Sequence, residues 1–448
     1  MDTSHKPRPA RAVTSRRAAL ALPLALTGCS LFDGWFGENK VPLPGERFAV
    51  SAPKRGLVVD NPGNLRVTLP QPATRPDWPQ AGGVPSHEMG HAAVADTLSE
   101  VWSASIGLGG GYRRKITAQP VVANGIVYAM DADAQVSAFD AGTGRDVWQF
   151  DTTPKDDRGT NVGGGIAVDG GVLYATTGRA EALALDAATG NLLWRQKLDT
   201  AARAAPTIAE GRLFIPVLGG RLIALKTEDG SRAWQYQASE SQTAVLGLPS
   251  PAYAEGLVVA GFGSGDLVAL RAATGAVVWA DTLASGRTSM ADLSAIHGMP
   301  VIQDGRVYAV GMGGLMLALD LRSGRRLWER EISSNETPCV AGDWLFVLAV
   351  GSQLAAISRV DGSVVWITQL QKFANMEKQK DPIFWQGPTL AADRLIVAAS
   401  TAVAQAVSPY TGEVLGEQAL SGAISVSPVV AAGTVFLVTD DGRLVALR

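Results

Sequence analysis

Four places in the 448 residues carry side chains whose types and spacing suggest chemistry. The first is His87-Glu88-Met89-Gly90-His91. Two histidines four apart with a Glu beside the first would hold zinc and a general base, provided a helix puts all three on one side. Pro85 precedes the run, Gly90 interrupts it and Gly82-Gly83 lie just upstream, so helix propensity is low. The remaining histidines, His5 and His297, are far away in sequence. The expectation is an irregular segment lying on the rest of the fold. The second place, Gly107 to Gly111 followed by Arg113-Arg114-Lys115, has phosphate-loop composition. An apolar β-type run at Pro120-Val121 follows it rather than a helix, so it is expected to be a solvated connection.

The third place is Cys29. Lys6, Arg8, Arg11, Arg16 and Arg17 form a basic start, and Ala18 to Leu26 an apolar run too short to span a bilayer. Leu26-Thr27-Gly28-Cys29 resembles a bacterial lipobox. That resemblance implies cleavage before Cys29 and its acylation, with several chains giving stable membrane attachment. Ser30 after it implies sorting to the outer membrane. Arg16-Arg17 also hints at twin-Arg export. The only other cysteine is Cys339, expected to be a small buried residue. The fourth place is the polar, Lys-rich stretch from Gln371 to Gln386, expected to be a long surface loop.

The elements that would position these residues come from a repeat. Apolar runs are joined by Thr-Gly, Asp-Gly or Ser-Gly turns at Gly144, Gly190, Gly230, Gly275, Gly324, Gly362 and Gly412, spaced 46, 40, 45, 49, 38 and 50 apart. A Trp follows six of them, at Trp148, Trp194, Trp234, Trp279, Trp328 and Trp366. The seventh has Leu415 and Gly416 instead. Most copies open on a Pro and an apolar pair, such as Pro120-Val121-Val122 and Pro206-Thr207-Ile208, then pass through an Asn-Gly or Asp-Gly turn into a β-rich run. Turns of this kind between apolar runs mark hairpins, and four strands per period suggest a β-propeller. The final copy lacks a fourth strand, while Glu100-Val101-Trp102-Ser103 looks like a Trp strand with no repeat before it. The sequence therefore predicts an all-β, eight-bladed β-propeller of four-stranded antiparallel blades, its ring closed by an N-terminal strand. Closure removes the exposed edges of an open sheet.

The predicted organisation is a lipoprotein signal peptide over 1–28, a tether and irregular segment over 29–98, and the propeller over 99–448. Short pairing is expected at Glu46 to Val50 and Leu57 to Val59. A formal net charge of −3 with 18% charged residues gives no reason to expect nucleic acid.

The Ala-x-Asp-x-x-Thr-Gly-x-x-x-Trp pattern, best at Asp186 to Trp194 and Asp140 to Trp148, resembles the Trp-docking repeat of pyrroloquinoline quinone propellers. In that superfamily each Trp packs on the neighbouring blade's turn. One branch comprises quinoprotein dehydrogenases, which implies a quinone between a Trp and an adjacent-cysteine disulfide, a Ca²⁺ and an Asp base. This sequence has no adjacent cysteines and no acidic run with Ca²⁺ spacing. The other branch is the BamB family of the β-barrel assembly machinery. It resembles this chain in lipobox, sorting residue, plain blades and lack of cofactor ligands. Leu43-Pro44-Gly45-Glu46-Arg47 and Trp78-Pro79-Gln80-Ala81-Gly82-Gly83 also resemble the N-terminal stretch of some members.

The BamB resemblance implies a non-enzymatic lipoprotein without cofactor or metal, on the periplasmic face of the outer membrane. It implies binding to the barrel-forming subunit, alongside the other lipoproteins of the complex, and help in feeding it nascent outer-membrane proteins. The family's partner surface uses two inter-blade loops. One carries Leu-x-Leu-Arg before a blade-opening Pro; Thr243 to Pro251 corresponds, with Val245, Leu246 and Leu248 as candidate contacts and no Arg. The other carries paired Asp; here Asp292 to Pro300 corresponds, with Asp292, Ile296 and His297 as candidates. Because the charge pattern is not kept, the expected contact is apolar and backbone-mediated, through strand addition.

Overall fold

A computed structural model describes residues 56–60, 65–111, 114–155, 159, 161–239, 247–283 and 295–448. Lys54–Arg448 forms one unit and Met1–Pro53 another. The predicted signal peptide, Cys29 and the Glu46 to Val50 pairing lie outside the described residues.

Eight four-stranded antiparallel sheets make up the ring. Blade 1 is Val121–Ala123, Ile126–Met130, Val136–Asp140 and Asp146–Phe150, and the next six repeat that order. In blade 8 the first three strands are Val429–Ala431, Thr434–Thr439 and Arg443–Leu447, and the fourth is Glu100–Ser105. Trp102 pairs with Ala446 and Ala104 with Leu444. The predicted closure by the Trp102 strand is therefore what the chain does.

The first three strands of each blade are short and apolar on both faces, since both faces are covered by neighbouring blades. Their residues are mostly buried, whereas fourth strands such as Leu192–Lys197 are exposed or only half-buried. In seven of the eight blades the Trp of the fourth strand bridges to the next blade. Trp148 Nε1 donates to the carbonyl of Ala187 at 2.9 Å, Trp234 Nε1 to Ala272 at 2.8 Å and Trp366 Nε1 to Pro409 at 2.9 Å. The ring lies flat on the neighbour's turn glycine. A Cβ on Gly190 would sit 2.7 Å from Trp148, and one on Gly324 2.6 Å from Trp279. These glycines also hold φ near +75° and +71°. Backbone twist and the approach of the indole both require glycine there. Cys339 is buried and free in the first strand of blade 6.

The strands alternate direction, so one face of the ring carries the inter-blade connections and the other the turns between first and second strands. Residues 65–98 form no strand, but they do not trail away as a tether. They circle the hub on the turn face and bond to blade after blade. Trp78 and Val122 exchange both backbone hydrogen bonds in blade 1, at 2.8 and 2.9 Å. Val168 of blade 2 donates to Pro79. The Gln80 amide imitates a strand residue for blade 3, accepting from Ile208 N–H at 2.8 Å and donating to its carbonyl at 3.1 Å. Tyr253 of blade 4 donates to Pro85, Ile302 of blade 5 to Ser86, and Ala432 of blade 8 to Arg75. Ala92 bonds Leu390 and Ala392 of blade 7. For blade 6, the Pro70 ring lies 3.1 Å from where a Cβ on Gly342 would stand. The first strands are only three to seven residues long and end in open backbone groups at the hub. A chain with few side-chain demands can satisfy them. Trp78 itself is 1% exposed.

Further out, Gly56 bridges to Glu331 and Leu57 packs against the core shared by blades 5 and 6. Arg330, 2% exposed, is clamped there by the Asp60 carboxylate and donates to the Gly56 carbonyl at 2.9 Å. The stretch from Gln371 contains a small hairpin, Phe373–Asn375 with Lys380–Pro382, and leads into Trp385 at the start of blade 7.

Candidate interaction face

The zinc-like run comes apart in three directions. His87 is buried with φ of 60°, and its Nδ1 lies 2.7 Å from the Pro300 carbonyl. Burial drives its pKa down to about 4. Glu88 accepts from the Gln303 amide at 2.6 Å. His91 Nδ1 lies 2.7 Å from the Pro70 carbonyl, while its Nε2 accepts from Asp393 N–H at 2.9 Å. That pair of bonds requires the neutral Nδ1–H tautomer. All three side chains fasten the irregular segment to blades, as the low helix propensity implied. The glycine-rich run is likewise a connection: Ile106 and Gly110 donate to Gly442 and Asp440.

The opposite mouth of the hub is a funnel of about 290 Å³ with Ala81 of the N-terminal segment among its lining residues. Most of its wall residues lie just before or at the start of blade-opening strands. Lys115 and Gln119 precede blade 1, Arg203 blade 3, Met299 blade 5, Glu336 blade 6 and Ser427 blade 8. Glu336 is the wall's acid. Its Oε2 accepts from Gly387 N–H at 3.3 Å and Ser427 Oγ at 3.4 Å, so it ties the first strand of blade 7 to the connection into blade 8. Removal from water raises its pKa, and the nearby His297 opposes that shift. Arg203 gives one N–H to the Val162 carbonyl at 2.7 Å.

Two of the predicted loops meet on this funnel. Leu248 lines it and donates its N–H to the Arg203 carbonyl at 3.2 Å. His297 lines it too, with Nδ1 3.0 Å from the Asn335 carbonyl and Nε2 3.0 Å from where a Cβ on Gly247 would stand. Ile296 is 2% exposed and belongs to the blade 4–5 core, its side chain lying over Gly261. It sets the height of His297 rather than offering surface. Val245, Leu246 and Asp292 lie outside the described residues, as does Cys29. Arg203, Glu336 and Gln386 were not singled out from sequence, although a signal exists. Each stands within three residues of the Pro that opens a repeat, the position that lines the funnel in most blades.

The residues present do not fit a quinone with Ca²⁺. Cys339 is a strand residue within the blade 6 core, and among the described residues there is no second cysteine to pair with it. Glu336 is the funnel's acidic residue, and among the described residues no three His, Cys, Asp or Glu side chains converge as a metal site.

The fold and the Trp-on-glycine seams define an eight-bladed propeller of the pyrroloquinoline quinone repeat type, with a plugged hub and an open funnel. The family model described as outer membrane protein assembly factor BamB matches residues 132–368 and 369–448, and the chain belongs to that family. A model of the glucose/ethanol/alcohol dehydrogenase β-propeller domain matches residues 90–168. Outer membrane protein assembly factor BamB of Yersinia pestis is 28% identical over 358 residues, 78% of this chain and 88% of the relative. Its namesake in Escherichia coli is 27% identical over 359 residues, 78% and 89%. Among solved structures, BamB from Moraxella catarrhalis superposes with a TM-score of 0.67 at 21% identity, covering 79% of this chain and all of that one. A europium-containing methanol dehydrogenase also reaches 0.67, at 13% identity, covering 83% and 98%. At such identities these two likenesses describe the fold.

Proposed function

We propose that this chain is a non-catalytic scaffold of outer-membrane protein assembly, anchored through an acylated Cys29 on the periplasmic face of the outer membrane. It would hold the barrel-forming subunit of the assembly complex and help nascent outer-membrane proteins reach it. Family membership across most of the propeller is the observation that carries this reading. The funnel face agrees with it: two connecting loops, one with Leu248 and one with His297, meet where a partner strand can approach. The side chains at that mouth are tied to carbonyls and neighbouring loops rather than grouped as acid, base and nucleophile.

The test is purification of the full chain from membranes in mild detergent. The barrel-forming subunit should come with it, and Cys29→Ser should release the protein from the membrane fraction. Recovery of the protein without that subunit would contradict the reading.

A further inference from the structure

Seven of the eight seams between blades hold an indole, from Trp102, Trp148, Trp194, Trp234, Trp279, Trp328 and Trp366. The seam between blades 7 and 8 does not. Gly416 faces Ala406 there, in the register position where Trp148 faces Ala138 and Trp366 faces Ala356. The turn that such a Trp would dock on is missing as well. In other blades it joins third and fourth strands, but in blade 8 those strands are Arg443–Leu447 and Glu100–Ser105. What remains is a cavity of about 410 Å³, walled by Leu98, Ile396, Leu415, Val435, Leu437 and Leu447. Alongside runs the fourth strand of blade 7, Val414–Ala419, at the edge of its sheet and exposed along nearly its whole length. Asp96 and Glu417 stand exposed at the mouth. The Arg394 guanidinium is engaged by the carbonyls of Ala95 and Asp96.

We propose that this slot is a binding site for an aromatic side chain carried on an extended partner polypeptide, with Lys or Arg beside it. The sibling seams show the shape the slot takes. The free strand edge suits extended backbone, and the carboxylates at the mouth favour a cation. Elsewhere the indole N–H bonds a carbonyl just past the third strand, such as Ala141 or Pro409. That turn is absent here, so phenylalanine serves about as well as tryptophan. The site is separate from the funnel and does not depend on the assembly role.

The experiment is a fluorescence anisotropy titration of the full chain with fluorescein-labelled Lys-Thr-Trp-Thr-Lys-amide. Saturable binding is expected, with the Phe peptide within about threefold and the Ala peptide weaker by about tenfold or more. Gly416→Trp fills the slot from within; with unchanged circular dichroism it should lose about tenfold or more in affinity. Glu417→Lys, on the exposed rim, should weaken the Lys-flanked peptide without touching the core. Equal binding of the Ala peptide, or undiminished binding by folded Gly416→Trp, would overturn the proposal.

Discussion

Trp102 Nε1 donates to the carbonyl of Ala141 at 3.2 Å, and its ring lies 2.6 Å from where a Cβ on Gly144 would stand. That one side chain joins blade 8 to blade 1 and so seals the circle. Its own strand comes from the start of the propeller and pairs with the end. An indole buries on the order of 200 Å². Trp102→Ala should therefore cost about 2–4 kcal/mol, with Trp102→Phe losing less. Guanidinium unfolding monitored by circular dichroism checks this. A change within about 0.5 kcal/mol, as for an ordinary surface substitution, would mean that closure rests on strand pairing alone.

Gln80 tests the plug. Its amide makes both bonds that a strand neighbour would make to Ile208, and it is 5% exposed. Gln80→Ala leaves the N–H and carbonyl of Ile208 without these partners, at a cost of about 1–3 kcal/mol. Proteolysis of the 65–98 segment should quicken in parallel. Unchanged protection would show that the other blades hold the segment without it.

His87 gives a pH dependence. Its pKa falls from 6.5 to about 4 in the fold because burial disfavours the imidazolium. The unfolded chain therefore binds the extra proton first, so stability is full above about pH 6.5 and declines as pH falls toward 4. The loss is on the order of 3 kcal/mol. His87→Gln should flatten that limb in denaturation measured from pH 7 to 4. An equally steep limb in the variant would assign it to other groups.

Cys339 offers a reporter. Burial pushes its thiol up to about 12, so thiolate is scarce at neutral pH. Ellman's reagent should leave it unmodified in the native protein and react on addition of guanidinium. Modification at the native rate of a free thiol would mean that blade 6 opens locally.

Much of this molecule was legible from one repeating stretch. The turn glycines and the Trp four residues on are demanded by a single contact, repeated around the ring, so pattern and packing coincide. The orphan Trp102 strand was readable for the same reason. The hub segment was legible only as an irregular stretch lying on the ring, not in its path from blade to blade. Residues such as Gln80, Pro79 and Pro85 bond through amide and backbone groups that any composition supplies, so no periodicity marks them. Ile296 and His297 illustrate the other difficulty. They are adjacent in a loop, yet one enters the core of blades 4 and 5 and the other the funnel wall. Loop residues are sorted by tertiary packing, which spacing does not encode. His87 and His91 satisfy a spacing rule whose helix never forms.

The scaffold reading rests on the funnel face touching the barrel-forming subunit. A photocrosslinking residue at position 248, in whole cells, tests that contact directly, with position 147 on an exposed outer strand as control. A crosslink from 248 to the barrel-forming subunit, and none from 147, is the predicted result. Equal crosslinking from both positions, or none from 248 while the protein remains at the outer membrane, would contradict it.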